Sequence, residues 1–125
     1  MRVLVTSTTY YPALNGQAVF AVNLAEGLSR AGHKVAVIYP EVHRQTRERN
    51  GVQLEAQGSL SLSFLHGESY LPLKFDGVRS VVEEFRPDIV HIQDHYPLSV
   101  VTVRVARELG IKAMGTNHFM PANLA

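Results

Sequence analysis

The chain has 125 residues, of which 46% are hydrophobic and 18% are charged, and its formal net charge is +1. This length is enough for one domain with a sizeable core, and the small net charge gives no support to nucleic-acid binding. No cysteine is present, which excludes a disulfide framework, a thiolate metal site and a cysteine nucleophile.

No stretch reaches the roughly 18 apolar residues that a membrane-spanning helix needs. The first residues also lack the apolar segment of a secretory signal, because the polar residues 6–9 follow a run of only three apolar ones. We therefore expect a cytoplasmic protein, and peripheral contact with the inner face of the membrane stays open.

The first third of the chain predicts a strand, a helix and a second strand. Residues 3–5 form a short apolar run typical of a strand covered on both faces. Residues 18–31 have helical periodicity, and Gly32 is placed to cap that helix in the left-handed conformation. The apolar stripe of the helix comprises Phe20, Leu24, Leu28 and Ala31, widened by Ala21 and Ala25. Residues 35–39 predict the second strand.

The middle of the chain has weaker signals. Residues 41–51 are polar and charged, which predicts a solvated surface loop, although their arginines also fit a patch facing anionic lipid. Residues 52–65 alternate weakly and predict one or two strands, and residues 66–73 predict a loop.

The last part returns to a regular pattern. Apolar residues over 75–85 trace one face of a helix, and residues 88–93 predict a buried strand. A helix starts near Pro97 and ends at Gly110, before a strand over 111–116. The alternation predicts an α/β fold with a doubly wound, mostly parallel, Rossmann-like sheet in a single domain over 1–125.

Ligands of open parallel sheets bind at the carboxyl ends of the strands, which allows the polar residues to be sorted by position. The first strand leads into the loop "TTYYPALNG", which is longer than a simple connection to a helix requires. Asn15 and Gly16 end this loop at the mouth of the helix, where free N–H groups and a small residue suit an anion or a sugar. A plain turn and helix cap explains the same pair. No GxGxxG or GxxxxGK[ST] motif is present, so a dinucleotide fingerprint and a P-loop are excluded.

Two further groups follow later strands. His118 comes two residues after the predicted strand end, and it suits either hydrogen bonding to a sugar or phosphate, acid–base catalysis, or packing against Phe119. Asp94 and His95 follow the strand over 88–93, and capping of the next helix is favoured over a metal site because a third ligand is lacking. His91 is expected to be buried inside that strand.

The segments "YYPALNGQAVFAVNLAEGLSRAGHKVAVIYP" and "RPDIVHIQDHYPLSVVTVRVARELGIKAMGTNHFMP" resemble the first two motif blocks of the retaining glycosyltransferases of family four. In that family a proline-containing loop ends in Gly-Gly before a helix that closes with Gly-His, and a later strand ends in Thr-x-His. The resemblance covers nearly the whole chain outside residues 41–75. Asn15 stands here at the position of the family's first glycine, and asparagine tolerates the left-handed backbone.

The resemblance implies a GT-B enzyme that moves a sugar from a nucleotide-sugar donor to an acceptor with retention. It implies an acceptor-side N-terminal domain over 1–125, shortened at its end, and a donor-binding C-terminal domain that this chain does not contain. On that basis the fragment alone is expected to be inactive. The nucleotide-sugar is then a co-substrate, and neither a cofactor nor a metal is expected.

The resemblance also assigns roles to residues. Asn15, Gly16 and Gln17 would form a loop facing the donor phosphate or the acceptor, and His118 would contact the transferred sugar as the catalytic residue. The residues expected to line an acceptor cleft are Tyr10, Tyr11, Asp94, His95 and Asn117. The two tyrosines make that cleft fairly apolar, which fits a sugar or lipid acceptor.

Two other classes stay open at this point. The hydroxyl-rich run over 6–9 also resembles the phosphate loop of a flavodoxin-like small-ligand binding module, although residues 10–15 then separate it from the helix. A non-catalytic partner subunit that kept the fold is the other alternative.

Overall fold

The computed structural model describes residues 1–8, 10–11, 16–41, 44–61, 70–72, 76–94 and 97–115. The strands are β1 Arg2–Thr6, β2 Lys34–Glu41, β3 Gln45–Arg49, β4 Val52–Ser61, β5 Tyr70–Pro72, β6 Ile89–Ile92 and β7 Lys112–Gly115. The helices are α1 Gly16–Arg30, α2 Asp76–Phe85 and α3 Pro97–Glu108. In these ranges no helix has both the length and the apolar character that crossing a membrane requires.

The strands pair into a mixed sheet in the order β3-β4-β2-β1-β6-β7, and β5 pairs with β4 outside this path. Neighbours from β4 to β7 run parallel, whereas β3 and β5 run antiparallel to β4. The predicted α/β, Rossmann-like architecture is therefore confirmed.

The core consists of two layers, one on each face of the sheet. Alternate residues of a strand point to opposite faces, so Val3 and Val5 pack on the side of α1 while Leu4 packs on the side of α2 and α3. Leu4 and Val5 have no exposed surface, which matches the continuous apolar run expected of a central parallel strand.

Helix α1 contacts the sheet through smaller residues than its periodicity suggested. Ala18, Ala21 and Ala25 are buried, whereas Phe20 is 42% exposed, so the predicted place of Phe20 in the apolar stripe is wrong. Alanines on the buried face let the helix lie close to the strands, and the larger side chains then fall on its flanks. The predicted cap is confirmed, because Gly32 has a φ of +96° after the last turn.

The predicted loop over 41–51 contains a strand. β3 forms a hairpin with β4 around Asn50 and Gly51, which have φ values of +53° and +81°. Asn-Gly is the strongest short-range hairpin signal. The segment was nevertheless predicted to be a loop because it is highly charged, and an exposed edge strand can be equally polar. The loop predicted over 66–73 is also wrong in part, since Tyr70–Pro72 forms β5.

The charged groups of β3 are partly used within the chain. Arg49 forms an ion pair with Glu26 of α1, and its guanidinium lies 3.8 Å from the ring centroid of Tyr11. Arg47 donates a hydrogen bond to the hydroxyl of Tyr39. These contacts tie the edge of the sheet to α1 and to the first loop.

Replacing Gly51 by alanine is expected to lower the free energy of unfolding by about 1–2 kcal/mol. The residue has a positive φ, and an added Cβ would lie 2.5 Å from Oγ of Ser29. Gly27→Ala is the matched control, because the nearest atom that a Cβ there would meet in the described part of the chain is 3.9 Å away. It lies inside α1, where alanine should stabilise by about 0.5–1 kcal/mol. Urea denaturation measures the change in the free energy of unfolding for both variants. A change of the same sign in the two variants would contradict the expectation.

Candidate functional site

The order of the strands reverses between β1 and β6, so the carboxyl ends of these two strands form the topological switch point of the sheet. The connection from β1 leads through α1 to β2 on one side, while the connection from β6 leads through α3 to β7 on the other. In sheets of this kind the crevice at such a switch point is the position at which ligands bind. We call the residues around it, Thr6 to Thr8, Gln17, Asp94 and Ser99, the switch-point crevice.

The carboxylate of Asp94 is the centre of the switch-point crevice. The residue is 5% exposed, and Oδ2 accepts hydrogen bonds from the backbone N–H of Thr8 at 2.8 Å and from Nε2 of Gln17 at 2.7 Å. Oδ1 accepts a hydrogen bond from the hydroxyl of Ser99 at 2.9 Å. One buried carboxylate therefore joins the end of β1, the start of α1 and the first turn of α3.

A second polar contact extends this network into the core. Oγ1 of Thr6 lies 2.8 Å from Oγ of Ser99, and both residues are buried. Because the single proton of the Ser99 hydroxyl is directed to Asp94, Thr6 is the donor in this pair. Ser99 was not among the residues predicted from the sequence. A hydroxyl in the first turn of a helix, five residues after an acidic group, is a weak signal in isolation.

Helix α1 begins at Gly16, beside this carboxylate. Gly16 is exposed, and in the described part of the chain an added Cβ would meet no atom within 4 Å. The first N–H groups of a helix lack intrahelical partners and carry a partial positive charge. The described residues therefore leave room for a side chain at this position, and contact of a ligand with the backbone at Gly16 stays a prediction.

The model of glycosyltransferase family 4 matches residues 14–124 of this sequence. The chain belongs to glycosyltransferase family 4. The predicted resemblance is confirmed, and the family match speaks against a flavodoxin-like module.

Curated relatives agree with this family. The chain is 24% identical over 118 residues to the alpha-monoglucosyldiacylglycerol synthase of Streptococcus pneumoniae. This alignment covers 94% of the chain and 26% of the relative. It is 28% identical over 120 residues to the GDP-mannose-dependent alpha-mannosyltransferase of Mycolicibacterium smegmatis, covering 91% of the chain and 31% of the relative. The chain thus spans about a quarter to a third of these relatives, in their N-terminal portion.

In this family 4 domain the two tyrosines of the first loop lie on the α1 side of the sheet. Tyr10 is buried in the core, with its ring centroid 5.8 Å from that of Tyr39. Burial raises the pKa of the Tyr10 phenol far above its usual value and keeps it neutral. Tyr11 is 45% exposed beneath Arg49. Their role in an acceptor cleft stays a prediction.

The buried groups of β6 complete the surroundings of the crevice. His91 is buried, as expected, and its Nδ1 lies 2.7 Å from Nε2 of Gln93. Over the ranges with described coordinates, no three histidine or acidic side chains lie close enough together to hold a metal ion.

Four residues predicted for the site, Asn15, His95, Asn117 and His118, lie outside the described residues. The site predicted from the sequence is therefore described at Gly16, Gln17 and Asp94, which the fold brings together, and at the two tyrosines, which lie on the α1 side.

Proposed function

We propose that this family 4 chain is the acceptor-side domain of a retaining GT-B glycosyltransferase, which moves a hexose from a nucleotide-sugar donor to an acceptor. The observation that carries the proposal is the convergence of the N-terminus of α1 and the Asp94 network at the switch-point crevice. We propose that a sugar acceptor or a donor phosphate is bound there, because open parallel sheets bind ligands at the carboxyl ends of their strands, at the switch point.

The names of the relatives support the choice of substrates. One names GDP-mannose as the donor of a mannosyltransferase, and another names a glucosyldiacylglycerol as a product. We propose a nucleotide-sugar donor and a sugar or lipid acceptor for the whole enzyme. We also propose that the enzyme works in the cytoplasm and reaches a lipid acceptor by peripheral contact with the inner face of the membrane.

The chemistry follows from the charge that develops during transfer. The bond between the anomeric carbon and the diphosphate oxygen breaks, the sugar passes through an oxocarbenium-like state, and the oxygen of an acceptor hydroxyl forms the new bond to the anomeric carbon. The leaving nucleotide diphosphate gains negative charge and takes up the proton of that hydroxyl. The N-terminus of α1 at Gly16 stabilises that charge or orients the acceptor, together with basic groups of a second, donor-binding domain. His118 positions the sugar ring. The proposal requires no resident cofactor, and the isolated chain is proposed to be inactive.

The Gly16→Ala variant of the whole enzyme tests this assignment. We expect the free energy of unfolding to change by less than about 0.5 kcal/mol, because the added methyl group meets open space in the described part of the chain. We expect kcat/KM to fall about tenfold or more, because the methyl group holds the ligand away from the backbone N–H groups. Release of nucleoside diphosphate from GDP-mannose and other nucleotide-sugars measures both enzymes.

Val19→Ala is the control for this experiment, since Val19 is 46% exposed in the same part of α1. It should leave kcat/KM within about twofold of the parent value. Parent-level activity of the Gly16→Ala enzyme would remove the ligand role of Gly16. Failure of the parent enzyme to cleave any nucleotide-sugar in the presence of sugar and lipid acceptors would refute the proposed function.

A further inference from the structure

Gln17 is the second residue of α1 and is half-buried at the edge of the switch-point crevice. Its side-chain nitrogen Nε2 lies 2.7 Å from Oδ2 of Asp94 and 3.3 Å from Oγ of Ser7. A primary amide nitrogen carries two protons, so these two contacts use both of them.

The hydrogen bonds that Asp94 accepts determine the orientation of the Gln17 side-chain amide. Asp94 receives the Thr8 N–H on Oδ2 and the Ser99 hydroxyl on Oδ1, so the carboxylate acts as an acceptor on both oxygens. If the Gln17 amide were turned over, Oε1 would face Oδ2 and two acceptors would oppose each other at hydrogen-bond distance. The buried carboxylate therefore holds the nitrogen inward and leaves Oε1 as the remaining polar atom of the side chain.

The hydroxyl of Thr8 is a buried polar group beside it. Thr8 shares Oδ2 of Asp94 with Gln17 and is only 5% exposed, yet its hydroxyl has no hydrogen-bond partner among the residues that the structure describes. Within the same ranges, no donor reaches Oε1 of Gln17. Buried polar groups are rarely left unpaired, so the Thr8 hydroxyl at the ligand edge of the sheet points to a ligand or an ordered water, and Oε1 of the half-buried Gln17 is the acceptor beside it.

We propose that Gln17 recognises a hydrogen-bond donor of the ligand through Oε1, and that Asp94 is the positioning residue that fixes this orientation. An oxygen that only accepts hydrogen bonds suits a sugar or polyol hydroxyl and repels the oxygens of a diphosphate. Gln17 thus accepts a hydrogen bond from a hydroxyl of the acceptor. This disfavours the other role predicted from the sequence, a contact with the donor phosphate. The identity of the ligand rests on the proposed function, whereas the amide orientation does not.

The orientation is tested first, by NMR on the ¹⁵N-labelled chain without ligand. Gln45 is the reference, because it is an exposed glutamine whose side-chain amide has no hydrogen-bond partner in the described ranges. We expect the side-chain amide protons of Gln17 to exchange about tenfold more slowly than those of Gln45. The Asp94→Asn substitution should shift the Gln17 amide signals and leave those of Gln45 in place. Equal exchange rates at the two glutamines would overturn the inferred orientation.

The ligand class is tested with two probes at constant ionic strength, methyl α-D-glucopyranoside and inorganic pyrophosphate. The glucoside should shift the Gln17 signals, and Gln17→Met should weaken its binding about three- to tenfold, the effect of one neutral hydrogen bond. The affinity of Gln17→Met for pyrophosphate should stay within twofold of the parent value. The control Gln45→Met should change the affinity for neither probe.

Loss of pyrophosphate binding in Gln17→Met, or no response of Gln17 to the glucoside, would overturn its role as a reader of acceptor hydroxyls. These failures differ from failure of the proposed function. A whole enzyme that transfers sugar at the parent rate with Gln17→Met refutes the Gln17 role alone. A chain that binds the glucoside through Gln17, in an enzyme that cleaves no nucleotide-sugar, refutes the transferase assignment alone.

Discussion

Replacement of Asp94 by alanine is expected to lower the free energy of unfolding by about 3 kcal/mol. Asp94 is only 5% exposed, and its carboxylate accepts hydrogen bonds from Thr8, Gln17 and Ser99. Alanine would leave three donors unpaired where water has little access. A buried donor without an acceptor costs about 1–3 kcal/mol, and partial rehydration of the half-buried Gln17 keeps the sum below three full penalties.

Urea denaturation followed by circular dichroism measures this loss, with an unchanged m value as the sign that both proteins unfold to similar states. Asp94→Asn keeps one acceptor oxygen and should cost less, about 1–2 kcal/mol. Glu84→Ala is the control, because Glu84 is an exposed carboxylate on α2 and its removal should change stability by less than about 0.5 kcal/mol. A stability of Asp94→Ala equal to that of the parent would mean that water replaces the carboxylate, and the crevice would then not be held by Asp94.

Replacement of His118 by alanine in the whole enzyme is expected to lower kcat by about 100-fold or more. β7 ends at Gly115, which is the register partner of Ile92, so β6 and β7 leave the sheet at the same edge. Asp94 follows Ile92 by two residues, and His118 follows Gly115 by three in the sequence. From the family resemblance we propose that this histidine forms a hydrogen bond to the transferred sugar near the reacting carbon. Loss of such a positioning contact acts on the transition state and lowers kcat more than it raises KM.

His33→Ala is the matched control for this experiment. His33 follows α1 and precedes β2, so it lies at the opposite edge of the sheet from the switch-point crevice. Its removal should leave kcat within about twofold of the parent value. Steady-state release of nucleoside diphosphate measures both variants, and thermal unfolding shows whether each is folded. Turnover by His118→Ala at the parent level would remove His118 from the catalytic residues.

Prediction from the sequence succeeded where the pattern had one structural solution. The continuous apolar run at 3–5 predicted a buried central strand, and Val3, Leu4 and Val5 are all buried. Helix ends were also predictable, because Gly32 and Gly110 sit just past α1 and α3 with positive φ. These signals are local, since each depends on backbone preferences within a few residues.

Prediction failed where burial and local character disagree. The charged residues 45–49 form an edge strand, because an edge pairs on one side only and tolerates polar side chains on both faces. Phe20 is exposed although it falls within an apolar period, because small residues on the neighbouring helix face allow closer contact with the sheet. Neither the edge strand nor the exposure of Phe20 can be predicted from one segment alone, because both depend on which strand or helix packs against that segment.

For the candidate site, sequence patterns were sufficient to predict the fold class, the family and the edge of the sheet at which Gly16 and Asp94 are found. The hydrogen bonds of Asp94 could not be predicted in this way, because its partners lie 86 residues away at Thr8 and 77 residues away at Gln17. Likewise, a glutamine in a sequence offers both a donor and an acceptor, and the buried carboxylate across the crevice determines which of them faces outward. The reason is physical, because hydrogen bonding at a site depends on groups that come together only when distant strands pair.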